Sequence, residues 1–177
     1  MKKFILRPLL ITVFVSGIVF VGNLYSQTAG TFKYSLTTNA TEGYSPEHLI
    51  AIWIEDSTGA FVKTILKQSS AEHLDHLSRW TEKSVSNEID ATSGATLALH
   101  GKLSVNWAGT DVSGKLSADG AYSVWLEMAW DDSYKTGKKI TSFSFTKGKN
   151  AFHSTPDDTP NFTGITLDWL PACASNK

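Results

Sequence analysis

One short run of this chain sets hydroxyls among small neighbours. The run Asp90-Ala91-Thr92-Ser93-Gly94-Ala95-Thr96 is small and polar. Gly94 and Ala95 allow close approach and add little bulk beside the Thr96 hydroxyl. An ordinary polar loop with Asp90 capping a turn fits the same seven residues. Other chemistry-bearing residues are less suggestive. His73 and His76 stand three apart and could share a cation on a helix, but no third ligand accompanies them, and they read as a solvated face. Asp131-Asp132 and Asp157-Asp158 offer oxygens to calcium without the spacing of a calcium loop, and read as solvated loops. Glu127 has no assignable partner for the paired carboxylates of glycoside hydrolysis. Ser and His occur at no spacing that marks a triad. The six Trp could line a sugar platform, although most fall on alternating strand faces where core packing is the default. No catalytic residue and no metal site is therefore expected. Asn39-Ala40-Thr41 and Asn161-Phe162-Thr163 match the glycosylation acceptor pattern, which matters only in a eukaryotic secretory pathway.

The elements that must position Thr96 are short strands. Lys2, Lys3 and Arg7 precede an apolar run, Leu9 to Val21, in the pattern of a secretory signal peptide, expected to span residues 1–26. An uncleaved anchor is the alternative, although the run is short of the ~20 apolar residues of a full span. Cleavage after Ser26 leaves 151 of the 177 residues, expected to form a single domain over 27–177 with no stable membrane insertion. It removes three of the 16 basic residues and none of the 17 acidic, leaving a net charge of −4. That balance, without a basic run, argues against nucleic acid. The only Cys, Cys173, cannot form an internal disulfide, so the core must hold the domain together.

Phe32, Tyr34 and Leu36 alternate with polar residues at the period of a half-buried strand. His48 to Ile54 is apolar on both faces and reads as a central strand. The Asp56-Ser57-Thr58-Gly59 turn leads to its hairpin partner, Phe61 to Leu66. Ser69 and Glu72 form a capping box for one helix, ending near Lys83, with Leu74, Leu77 and Trp80 on its buried face. Leu99 to Trp107 and Tyr122 to Trp130 alternate again, with turns at Asp111-Val112-Ser113-Gly114 and Asp119-Gly120. Further strands are expected at Ile140 to Phe145 and Ile165 to Leu170, separated by an exposed loop, Pro156 to Pro160. This spacing predicts a mainly β fold, an antiparallel β-sandwich with one inserted helix.

Three resemblances sharpen these expectations. Trp107, Gly109, Asp111, Gly114, Gly120 and Tyr122 resemble the hairpin signature of the Ig-like domain of FlgD, the flagellar hook-cap scaffold, which implies an Ig-like (FlgD-like) sandwich. Over residues 44 to 170, a longer series is similar to the predicted periplasmic family called domain of unknown function 2271. It comprises Tyr44-Ser45-Pro46, Ala51 to Asp56, Gly59, Phe61 to Thr64, Leu77, Trp80, the Asp90 run, Trp107 to Gly114 and Tyr122 to Glu127. That resemblance implies a bacterial periplasmic (or secreted) location and supplies no activity. Finally, Asp90 to Thr96 resembles the acceptor motif of flavinylated extracytoplasmic proteins. By that resemblance Thr96 carries FMN through a phosphoester bond, Asp90, Ser93, Gly94 and Ala95 are recognition residues, and a separate flavin transferase makes the attachment from FAD. Known acceptor motifs often have Ser or Thr two positions after the acceptor, where this chain has Ala98.

Together these give a periplasmic electron carrier with covalent FMN, exchanging electrons with membrane or periplasmic redox proteins and not itself an enzyme in the usual sense. Trp80 and Trp107 are candidates to stack on the flavin or to be core. A cofactor-free FlgD-like structural or partner-binding module is the alternative, and a carbohydrate-binding module a second.

Overall fold

The computed structural model describes residues 25–39, 48–69, 75–84, 92–94, 100–130 and 138–173. The alternating runs form strands as their period requires. In chain order these are β1 (Gly30–Thr38), β2 (His48–Asp56), β3 (Phe61–Gln68), β4 (Thr92–Gly94), β5 (Lys102–Trp107), β6 (Gly120–Trp130), β7 (Lys138–Lys147), β8 (Phe152–Ser154) and β9 (Phe162–Pro171). Among the described residues there is one α-helix, α1 (Ser78–Ser84), between β3 and β4. The strands make two sheets, one ordered β5-β1-β9-β8 and the other β4-β3-β2-β6-β7. Pairing is antiparallel throughout, except that β4 runs parallel to β3.

The two sheets face each other across the main core. Phe32, Tyr34, Leu36, Ile165, Leu167 and Trp169 come from the four-stranded sheet; Ile50, Ile52, Ile54, Val124, Leu126 and Met128 come from the other. The Phe32 ring stacks on Phe145, with centroids 3.8 Å apart, joining β1 to β7 across the sandwich. Each large apolar side chain so buried contributes about 1.5–3 kcal/mol. As its unbroken apolar run predicts, β2 is central and buried on both faces. Its other face belongs to a second cluster, in which Leu49, Ala51, Trp53 and Ala129 are covered by Leu77 and Trp80. The helix therefore closes the outer face of the five-stranded sheet.

The helix is shorter than its sequence pattern. It begins at Ser78, not at a Ser69 cap; Ser69 is the buried residue after β3, while Glu72 and Leu74 lie outside the described residues. The reason is tertiary. The Glu127 carboxylate, projecting from the outer face of β6, accepts the backbone N–H groups of Trp80 at 2.7 Å and Arg79 at 3.2 Å, and so caps the helix where it crosses the sheet. The expected end near Lys83 holds, and Leu77 and Trp80 are buried as expected.

Two strands carry no clear period of their own. β8 is three residues long, and β4 is a short run of Thr, Ser and Gly that pairs because β3 offers it an edge. No helix among the described residues is long and apolar enough to cross a membrane. The Leu9 to Val21 run and the rest of the expected signal peptide up to Leu24 lie outside the described residues. From Ser26 onward the chain is stitched to the sandwich. The Ser26 carbonyl accepts the Asp119 N–H at 2.7 Å, and Asp119 accepts the N–H and hydroxyl of Thr28 at 2.8 and 2.6 Å.

Candidate functional site

One end of the sandwich gathers the candidate residues that the structure describes. Register places them there. Gln68 at the end of β3 pairs with Ile50 near the start of β2 and, on its other side, with Gly94 at the end of β4. His48, two residues before Ile50, pairs with Trp130 at the end of β6. Ser93 and Gly94 of the expected acceptor motif are thus in the outermost strand of the five-stranded sheet, opposite Lys67 and Gln68. Asp90, Ala95 and Thr96 lie outside the described residues.

The chain re-emerges from this segment at His100, whose Nε2 stands 2.7 Å from Nε2 of His48. His48 is 5% exposed, and the two rings meet at a steep angle with centroids 3.9 Å apart. The contact joins the sheets, since His48 opens β2 while His100 leads through Gly101 into β5. Gly101 is itself fixed, its carbonyl accepting the Thr38 N–H at 3.0 Å. Burial lowers both imidazoles below their ordinary pKa, and the nearby His100 lowers His48 further. Nδ1 of His100 is buried and has no hydrogen-bond partner among the described residues. Sequence reading missed this pair. His48 reads as the first residue of an apolar strand and His100 as a solvent-side alternate, and no local spacing relates residues 52 positions apart.

Elsewhere the structure separates framework from candidate chemistry. Trp80 and Trp107, considered as flavin-stacking residues, are 0% and 1% exposed. Their indole N–H groups donate to the Thr64 hydroxyl at 2.9 Å and the Thr110 carbonyl at 2.7 Å, so both are framework residues. Trp53, Trp130 and Trp169 are also buried, while Trp125 is half-buried and covered by Arg79, whose guanidinium carbon lies 4.4 Å from the ring centre. None of the six Trp stands exposed as a sugar platform would require.

Glu127 is the helix cap, buried beneath α1. His76 lies 3.8 Å from Asp75, and His73, Asp131 and Asp132 lie outside the described residues. Asp158 accepts the Gly164 N–H at 2.7 Å, tying its loop to β9. Among the described residues no three His, Cys, Asp or Glu side chains converge on one point.

The two Asp-Gly turns share one construction. Asp56 Oδ1 accepts the N–H groups of Thr58 and Ala60 and the Thr58 hydroxyl. Asp111 Oδ1 does the same with Ser113 and Lys115. Each turn ends on a glycine at φ 79°, Gly59 or Gly114. These turns lie at the opposite end of the sandwich, since Asp56 pairs with Tyr122 at the start of β6.

No curated protein and no solved structure matches the chain. A family model does, over residues 31–157, from the second residue of β1 to the loop after β8. The matched span holds both paired histidines, the helix and its cap, the two Asp-Gly turns and the whole Asp90 to Thr96 run. With most of its length matched, this mainly β, two-sheet chain belongs to the family described as predicted periplasmic protein, domain of unknown function 2271 (DUF2271).

Proposed function

We propose that the protein is an exported carrier of covalently bound FMN, attached at Thr96 and serving extracytoplasmic electron transfer. The observation that carries this reading is the Asp90 to Thr96 motif, whose Thr92–Gly94 portion forms the edge strand of the five-stranded sheet. An edge strand pairs on one side only, which favours access by a flavin transferase to a hydroxyl two residues beyond Gly94. In the attachment step the Thr96 oxygen attacks the FMN phosphorus of FAD. A phosphoester bond forms, the pyrophosphate bond breaks, AMP leaves and the hydroxyl proton is released. Asp90, Ser93, Gly94 and Ala95 are the motif that the transferase reads. The sandwich supplies a rigid mount, and the flavin supplies the redox chemistry. Because Trp80 and Trp107 are interior, neither stacks on the flavin in this scheme.

The test is intact-protein mass after export in a host with a competent flavin transferase, beside Thr96→Ala. The parent is expected to gain one FMN, with fluorescence that survives denaturation, and the variant to gain none. An unmodified parent, with the transferase active on a control substrate, overturns the proposal.

A second reading is an Ig-like, FlgD-like partner-binding module without cofactor. It is favoured by the Tyr122 hydroxyl, which donates to the Ala118 carbonyl four residues upstream at 2.6 Å. A tyrosine closing a strand entry in this way is a feature of Ig-like sandwiches. That reading predicts a colourless protein that co-purifies with a partner.

A further inference from the structure

We propose that His48 and His100 bind a late first-row divalent cation, Cu2+ most tightly, through their two Nε2 atoms. The reasoning rests on ring geometry and is independent of the flavin. Two imidazoles sharing a head-on hydrogen bond of this length would hold their centroids about 5 Å apart. Here the Nε2 atoms are 2.7 Å apart, but the centroids are only 3.9 Å apart, so the hydrogen bond is strongly bent. Two nitrogens bound about 2.0–2.1 Å from one ion at a right angle stand about 2.9 Å apart. The observed separation is within a few tenths of that value and shorter than a tetrahedral angle would set, and the ring centroids, which the same right angle places about 4.5 Å apart, would open by about half an ångström on binding. A tetragonal ion is therefore favoured over a tetrahedral one, and Cu2+ leads the affinity order for nitrogen ligands.

Proton accounting is consistent with this arrangement. A nitrogen-to-nitrogen hydrogen bond requires one Nε2 to be an acceptor, so at least one ring is neutral in the apo protein. With both rings neutral, the donor ring holds its one proton on Nε2; that proton would pass through solvent to Nδ1 as the ion binds, leaving each bound ring neutral with its proton on Nδ1. Among the described residues no third His, Cys, Asp or Glu side chain joins the pair. His48 opens a strand of one sheet and His100 leads into a strand of the other, so the ion would clamp the sandwich at the end where β4 finishes.

The experiment titrates Cu2+ alone into the exported chain bearing Thr96→Ala, so that flavin plays no part. Affinity is read by calorimetry, and nitrogen ligands are counted by electron paramagnetic resonance. One equivalent with two imidazole nitrogens is expected. His100→Gln should lose one nitrogen and weaken binding by at least about tenfold, because even loss of a supporting group around a metal ligand costs 10–100-fold. His153→Gln, at an exposed His paired with Asp168, should change neither. His48→Gln repeats the test if it folds. His100→Gln decides the matter if it does not, because His100 lies outside any strand, with folding checked by far-ultraviolet circular dichroism. Absence of stoichiometric binding, or an unchanged affinity and nitrogen count in His100→Gln, overturns the proposal.

Discussion

At the scale of the residue, Lys147 shows how much one side chain can fasten. Its ammonium is fully buried, and it donates to the Thr28 carbonyl at 2.8 Å, the Ser117 carbonyl at 3.0 Å and Asp119 Oδ1 at 2.9 Å. Three donors meet three acceptors, which is what a buried amine requires. Asp119→Ala leaves that charge without its counter-ion and is expected to cost about 3–5 kcal/mol in urea unfolding. Lys147→Met in the same background should recover part of the loss, and failure to recover any would show that the two act independently. The pair also sets a pH dependence. Burial pushes the Asp119 carboxyl up, but hydrogen bonds from Thr28 and Lys147 outweigh it and hold the group well below the usual carboxylate range. Its stabilisation is thus present above the unfolded carboxylate value near 4 and is lost as pH falls toward the folded value. Urea midpoints at pH 7 and pH 3 should differ more in the parent than in Asp119→Ala; an equal gap would assign the acid sensitivity to other groups.

At the scale of the element, α1 is a helix made by its neighbour. Seven residues are too few for a helix to stand alone, so its packed face and borrowed cap must sustain it. Glu127→Gln keeps the shape but removes the charge. It should cost about 1.5–3 kcal/mol, the range for a hydrogen bond to a charged group, and speed amide exchange at Arg79 and Trp80 ahead of the sheet. Unaltered exchange at those amides would mean that the cap does not hold the helix. The same comparison explains what was legible. Strands with strict alternation, such as β1 and β6, announced both their position and their buried face, because a two-residue period leaves only one way to bury Phe32, Tyr34 and Leu36. The Asp56 and Asp111 turns were legible because a short acidic side chain and a glycine at positive φ are local requirements. The helix start, β4 and the His48–His100 contact were not, because each is decided by a partner distant in sequence: Glu127, the edge of β3, and the opposite sheet. Of the candidate site, the motif is legible from its small residues, whereas spacing leaves Trp80 and Trp107 open between flavin stacking and core, and the fold puts both in the core. Trp80 and Trp107 satisfy the same hydrophobic demand as any core residue, and spacing alone does not separate the two uses.

At the scale of the whole molecule, two facing sheets and a helical cover enclose almost all the tryptophan surface. Iodide should therefore quench the native emission weakly and the unfolded emission strongly; strong quenching of the native protein would contradict the buried positions of five of the six rings. Cys173 is exposed and is the only cysteine, so dithiothreitol should leave the thermal midpoint of the monomer unchanged. A reductant-sensitive midpoint would point to stabilising pairing between chains.

The saturation of Lys147 has a kinetic corollary. An amine enclosed by three acceptors has no lone pair to present, so an acylating reagent would reach it only through an opening that breaks all three bonds and frees the Thr28 segment. Exposed amines such as Lys149 would be labelled from the native state, whereas labelling of Lys147 would track opening. The acylation rate at this one lysine, read by peptide mass, would time the release of the Ser26 to Thr28 segment from the sandwich.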